Sequence, residues 1–187
     1  AQVGQSGREW GGEGRICDAL VAGDHPIATD ACGTHLMGHD PGADWLTSPF
    51  HRDRNALLVA AEAGFGTVNL DEIDYINAHG TGTEQGDKAE TFALKQVFGD
   101  HAYNLKLNAP KSMLGHTCWA SPLVETIGGL LQMKHGKLHP TINVDDLDPE
   151  VDLDVCADGP QDHRIEYMLK NSFGFGGTNG TLIFREV

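Results

Sequence analysis

Two histidines set in glycine- and threonine-rich turns constrain this chain more than any other feature. Residues 76–116 hold both, as Ile76-Asn77-Ala78-His79-Gly80-Thr81-Gly82-Thr83 and Lys111-Ser112-Met113-Leu114-Gly115-His116. A third turn, Asn171-Ser172-Phe173-Gly174-Phe175-Gly176-Gly177-Thr178-Asn179-Gly180, lies near the C-terminus. The first turn follows a hydrophobic strand pattern and precedes a helical one. His79 is therefore expected to stand exposed at a strand end, where α/β folds place their chemistry.

The rest of the chain reads as scaffold for these turns. Residues 1–14 carry no apolar period and read as a lead-in, with one domain over 15–187. Arg15–Ala22 has the run of a first strand, and residues 53–64 the pattern of a helix closed by Gly64. Between them, residues 23–50 are dense in Gly, Pro, Asp and His. Glu72–Ala78 is the second expected strand. The spacing of Ala89, Phe92, Ala93, Val97 and Phe98 predicts a helix over 87–98, with Gly99 at its C-terminal cap. Tyr103–Ala109 reads as a third strand. Ser121-Pro122 opens a further helix to about His135, serine at the cap and proline in the first turn. Ile165–Phe173 and Thr181–Arg185 read as antiparallel strands joined by the third turn. The order β-α-β-α-β-α-β-β implies a layered α/β structure.

Composition narrows the function. The 187 residues are 40% hydrophobic, enough for one core, and no apolar run approaches the ~20 residues of a membrane span. A net charge of −14 opposes binding to nucleic acid or to anionic membranes. No signal-peptide pattern opens the sequence, and Cys17, Cys32, Cys118 and Cys156 form no CxxC pair, so reduced thiols in the cytoplasm are expected.

Two neutral imidazoles can donate hydrogen bonds to one carbonyl oxygen and stabilise negative charge developing there. Lys111, ahead of His116, can set the local field. Each histidine can equally cap a turn and pack against its neighbours. Thr81 and Thr83 alternate beyond His79, so their hydroxyls can face one groove and bind an extended amide-rich arm, or merely stabilise the turn. Phe175, flanked by Gly174 and Gly176, suits a mobile gate, although a plain hairpin also explains the glycines. Cys32, His35 and His39, with Asp40, have metal-ligand chemistry without a fourth ligand set by spacing. The Asp30–Gly33 segment can be read as a nucleophile turn only weakly, since no strand-to-helix elbow surrounds Cys32. The acidic run 145–154 reads as a solvated connection, with weak calcium binding as the other option.

Taken together, NAHGTGT (77–83), KSMLGH (111–116) and NSFGFGGTNG (171–180) resemble the C-terminal half of an elongating β-ketoacyl-acyl-carrier-protein synthase. This is the type II fatty-acid condensing enzyme of the thiolase fold. The pieces GDKAET (86–91), HPTIN (139–143) and LIF (182–184) fit as well, and the likeness is close from Asp71 onward.

The resemblance implies a Cys-His-His enzyme in which His79 and His116 activate a malonyl thioester for decarboxylation and stabilise the enolate. Lys111 would support that site, and Thr81 and Thr83 would bind the pantetheine arm. Phe175 would be the gatekeeper, with Gly176 beside it at the substrate, and Glu125 a buried structural glutamate. No resident cofactor or metal is implied, since substrates arrive on phosphopantetheine. Acyl carrier protein and a cysteine-bearing N-terminal half or subunit would be the partners, the complete fold being a dimer. The pathway would be that of fatty acids or polyketides.

The departures are specific. The family's nucleophilic cysteine belongs upstream of this sequence, Cys32 lies in the wrong half, and residues 23–50 diverge. Trp119 and Pro122 replace small residues and are expected to crowd the helix start. Two other readings stay open: a non-catalytic partner like a chain-length factor, and a metal module on His35 and His39. A non-decarboxylating thiolase fits less well, because no cysteine follows Cys156.

Overall fold

The computed structural model describes residues 2–4, 14–16, 20–21, 31–32, 34–35, 38–44, 47, 54–63, 67–174 and 178–186. In chain order its elements are β1 (Gln2–Gly4), β2 (Gly14–Ile16), β3 (Leu20–Val21), α1 (Ala56–Glu62), β4 (Tyr75–Asn77) and α2 (Glu84–Phe98). There follow β5 (Lys106–Asn108), α3 (Lys111–Leu114), α4 (Ser121–His135), β6 (Lys137–Leu138), β7 (Gln161–Asp162), β8 (Tyr167–Gly174) and β9 (Thr178–Arg185). The chain forms two compact units, Ala1–Glu72 with Phe173–Ile183, and Ile73–Ser172 with Phe184–Val187.

In the first unit β1 runs antiparallel to β2, and β3 parallel to β9 with Leu20 opposite Gly180. Part of the expected lead-in is thus strand, and within the expected strand over 15–22 the described residues 15–16 and 20–21 are strand. Helix α1 is anchored at its start by Asn55, whose side-chain amide donates to the carbonyls of Pro41 and Ala43.

The second unit is built on three parallel strands in the order β8-β4-β5. All three residues of the central strand, Tyr75, Ile76 and Asn77, are buried, as expected for a parallel strand covered on both faces. Tyr75 and Met168 join Met133, Leu138, Cys156 and Ile165 in the core, with Phe184 packed against it. Helix α4 lies close on the sheet at Gly129, where a Cβ would fall 2.3 Å from Met168 Sδ. The helix ends at Gly136 in the left-handed conformation, φ 59° and ψ 37°.

Several expectations change here. The buried residues of α2 are Glu90, Thr91, Leu94 and Phe98, while Ala89 and Ala93 are exposed and Phe92 is 65% exposed. The apolar spacing misplaced the inner face because a carboxylate, Glu90, occupies it. The third strand is only Lys106–Asn108; residues 99–104 are a 3-10 helix, in which the His101 ring meets the Ile73 carbonyl at 2.9 Å. Lys111–Leu114, expected as a turn, is a short helix. Helix α4 starts at Ser121 itself, whose hydroxyl is not used as a cap. Trp119 crowds nothing, being 98% exposed.

The acidic run is not simply solvated. Asp148 and Glu150 pair with Lys88, Asp152 pairs with Lys95, and Asp154 with Lys106. No helix among the described residues is long and apolar enough to cross a membrane.

Helix α4 has an inverted polarity. Ser121, Glu125, Thr126 and Gln132 face inward, whereas Leu123, Ile127, Leu130 and Leu131 are exposed. The inner polar groups are largely satisfied: Asn77 donates to the Glu125 carbonyl at 2.9 Å, and Gln132 bonds Tyr75, Asn108 and His139. The outer leucines have no such explanation within this chain.

Candidate active site

Parallel pairing brings three strand ends to one edge of the sheet, with Asn77 opposite Asn108 on one side and Lys170 on the other. The chain leaves β4 toward His79 and β5 toward Lys111, while β8 passes from Lys170 to Asn171. Pairing extends one step beyond β4, where the Ala78 amide donates to the Asn108 carbonyl at 3.0 Å. The turn after His79 then passes against Ala109: at Gly80 (φ 45°) a Cβ would lie 2.6 Å from the Ala109 Cβ. Glycine is required there both for its backbone angle and for space.

The turn carrying His79 is held by a buried carboxylate. Glu90 accepts from the His79 amide at 2.9 Å, the Gly80 amide at 3.0 Å and the Asn171 side-chain amide at 3.0 Å. A second carboxylate lies alongside. Lys111 Nζ lies 2.7 Å from Glu125 Oε1, donates to the His79 carbonyl at 2.6 Å and sits 3.4 Å from His79 Nδ1. Lys170 Nζ lies 2.8 Å from the other Glu125 oxygen and donates to the Asn171 carbonyl. The side chains of Glu125 and Lys170 are only 2% and 1% exposed, so these charges offset one another in a dry setting.

These groups decide the state of His79. Burial pushes its pKa down to about 4, and the ammonium groups of Lys111 and Lys170 add to the effect against the opposing charge of Glu125. The imidazole is therefore neutral at neutral pH. An ammonium only donates, so Nδ1 facing Lys111 is an acceptor and the ring proton resides on Nε2.

His116 reaches the same tautomer by local means. Its Nδ1 accepts from the Cys118 amide at 3.0 Å and lies 3.2 Å from Ser121 Oγ. Cys118 adopts φ 51°, a strained angle for a side-chain-bearing residue, and in doing so turns its amide onto the ring. The two imidazoles stand edge to face with centroids 5.9 Å apart. The site thus holds two neighbouring Nε2–H donors.

Thr81 and Thr83 have their hydroxyl oxygens 3.0 Å apart. Both line a cavity of about 630 Å3, together with Lys111, Ser112 and His116; Ala78 and Gly80 contribute wall, but His79 does not. Phe175 and Gly176 lie outside the described residues.

The chemistry suggested for the N-terminal cluster is not supported. Cys32 is buried on a helical turn, and burial raises its thiol pKa to about 12, which withholds the thiolate that either a nucleophile or a metal ligand needs. Among the described residues no group of three or more His, Cys, Asp or Glu side chains is placed to hold a metal.

Reading the sequence missed Glu90, Lys170, Asn171, Ser121 and the Cys118 amide. Glu90 and Asn171 lie inside quoted motif segments, and that was their only signal. Lys170 carried none.

The sequence matches the beta-ketoacyl synthase C-terminal domain over residues 36–145. It is 35% identical over 179 residues to nodulation protein E of Rhizobium meliloti, covering 94% of this chain and 44% of that protein. It is 39% identical over 153 residues to 3-oxoacyl-[acyl-carrier-protein] synthase 2 of Coxiella burnetii, covering 82% of this chain and 35% of the relative. Among solved structures, the ketosynthase complex AntDE:AntF superposes with a TM-score of 0.62 at 35% identity, over 64% of this chain and 29% of that one. That structure is described as a type II polyketide synthase acyl-carrier protein in complex with its ketosynthase bound to the hexaketide. The chain therefore spans less than half the length of these proteins.

Proposed function

The chain belongs to the β-ketoacyl synthase family, and on that premise we propose that it supplies the decarboxylating half of a ketosynthase active site. The observation that carries this reading is the pair of adjoining imidazoles, edge to face with centroids 5.9 Å apart, whose Nδ1 atoms each face a donor, so that each ring carries its proton on Nε2. Two such donors on the thioester carbonyl of a malonyl group stabilise the enolate as its carboxylate leaves as carbon dioxide. The enolate carbon then attacks an acyl thioester carried on a cysteine, expelling the thiolate and forming the new carbon–carbon bond. Lys111 orients His79, and Thr81 and Thr83 line the path of the phosphopantetheine arm. Phe175 is the gatekeeper, with Gly176 beside it at the substrate. No resident cofactor enters this scheme.

The cysteine comes from another half of the fold or another polypeptide. The outward row of Leu123, Ile127, Leu130 and Leu131 on α4, with Trp119 beside it, supports such a covering partner. The donor of the malonyl group is an acyl carrier protein, a reading supported by the AntDE:AntF structure, in which an acyl-carrier protein is in complex with its ketosynthase. The complete fold acts as a cytoplasmic dimer in fatty-acid or polyketide synthesis.

The test combines the intact mass of the native particle with an assay of malonyl-thioester decarboxylation. A cysteine-bearing polypeptide in the particle, and a loss of about 100-fold or more in His79→Ala and His116→Ala, are the expected results. Decarboxylation indifferent to both substitutions overturns the reading.

A further inference from the structure

Lys170 is a buried cation that the scheme above does not use. It stands on β8 opposite Asn77, one strand away from the turn that carries His79. Its ammonium holds one oxygen of Glu125 at 2.8 Å, which leaves the other, at 2.7 Å, to Lys111. Lys111 in turn spends its remaining protons on the carbonyl and the Nδ1 edge of His79. The chain of contacts is therefore Lys170, Glu125, Lys111, His79, with every intermediate group charged and buried. We infer that Lys170 is a positioning residue for His79, keeping Glu125 shared between two cations so that Lys111 remains on the imidazole.

The charged and titratable groups facing this cluster come from four other places. Glu125 belongs to α4, Lys111 to α3, Glu90 and Asp87 to α2, and His116 to the turn before α4. Two ammonium groups, Lys111 and Lys170, meet the carboxylates Glu125, Glu90 and Asp87. Without Lys170 the balance shifts by one unit toward the negative, Glu125 is free to take both of its oxygens to Lys111, and the proton affinity of His79 rises. The direction follows from charge alone: removing a nearby cation favours the protonated imidazole.

The inference rests on His79 acting as the neutral donor of a ketosynthase site, yet it can be tested without turnover. Diethylpyrocarbonate modifies neutral imidazoles, so the native protein is labelled across a pH series without substrate and His79 is read by peptide mass, with exposed His135 as the internal reference. Wild-type His79 is expected to label at a constant rate down to about pH 5, since its pKa is about 4. Lys170→Gln is expected to raise the labelling midpoint by about one pH unit, halving the rate near pH 5. Lys170→Ser, whose short side chain lets water reach Glu125, is the second neutral variant should glutamine not fold. Lys170→Arg, which keeps the charge, is expected to keep the wild-type profile. An unmoved midpoint in the neutral variant that folds, or an arginine variant displaced as far as it, overturns the assignment. A shifted midpoint in a protein that never decarboxylates malonyl thioester would instead break the ketosynthase reading and leave the role of Lys170 standing.

Discussion

His79 sits half-buried among groups brought from α2, α3, α4 and β8, whereas His116 is exposed and takes its partners from Cys118 and Ser121, within five residues of itself. Both rings end in the same tautomer. The first is held by long-range charge pairing in a dry interior, the second by a strained local turn. The difference teaches that one chemical requirement, an Nε2–H donor, can be met by tertiary construction or by a few consecutive residues. The two solutions should fail differently when perturbed.

The sharpest break falls on the His79 side. Glu125→Ala strands two ammonium groups in the interior, and a loss of about 3–5 kcal/mol is expected, since removing one partner leaves buried charge uncompensated. Urea unfolding midpoints measure it, and a change under 1 kcal/mol would show that water already reaches the cluster. Glu90→Ala removes the acceptor for two backbone amides and the Asn171 side chain, at a cost of about 1–3 kcal/mol for the donors left without partners. Malonyl-thioester decarboxylation should fall in the same variant as the His79 turn loosens.

On the other side, Ser121→Ala leaves the Cys118 amide still donating to His116. Its expected cost is about 1 kcal/mol, with decarboxylation reduced less than tenfold. An effect as large as that of Glu90→Ala would erase the distinction between the two turns.

A pH series sharpens the comparison further. The pKa of His79 falls from its ordinary 6.5 to about 4 on folding, so between these values the unfolded chain binds more protons than the folded one. The stability contributed by neutral His79 is complete above about pH 6.5 and is lost as pH falls through that window. Thermal midpoints of His79→Gln should therefore decline less between pH 6.5 and pH 4 than those of the unaltered protein. The smallest effect belongs to Lys88→Ala, whose partners Glu84, Asp148 and Glu150 are solvent-facing. No measurable change in the urea midpoint is expected, because exposed ion pairs contribute little.

Local rules located the elements better than their inward faces. Helix α4 was expected from Ser121-Pro122 to about His135 and spans Ser121–His135. The strand leading to His79 was expected over Glu72–Ala78 and is Tyr75–Asn77. The inward face of α2 was misjudged, because apolar spacing cannot foresee a carboxylate buried to serve two amides. The inversion of α4 was legible only in part: the resemblance implied a buried Glu125, whereas Gln132 looks like a surface residue until the sheet beneath supplies Tyr75 and Asn108.

The sequence by itself determined the family, the layered α/β class and the turns that carry the two histidines. Those depend on short motifs, glycine-requiring backbone angles and repeating patterns within each segment. Only the tertiary structure decided what holds each ring. Register places Asn77 between Lys170 on one neighbouring strand and Asn108 on the other, and packing carries Glu125 to Lys111. A charge is tolerated in a dry interior only where another element brings its counter-charge, and that is a property of the folded arrangement rather than of any one stretch of chain.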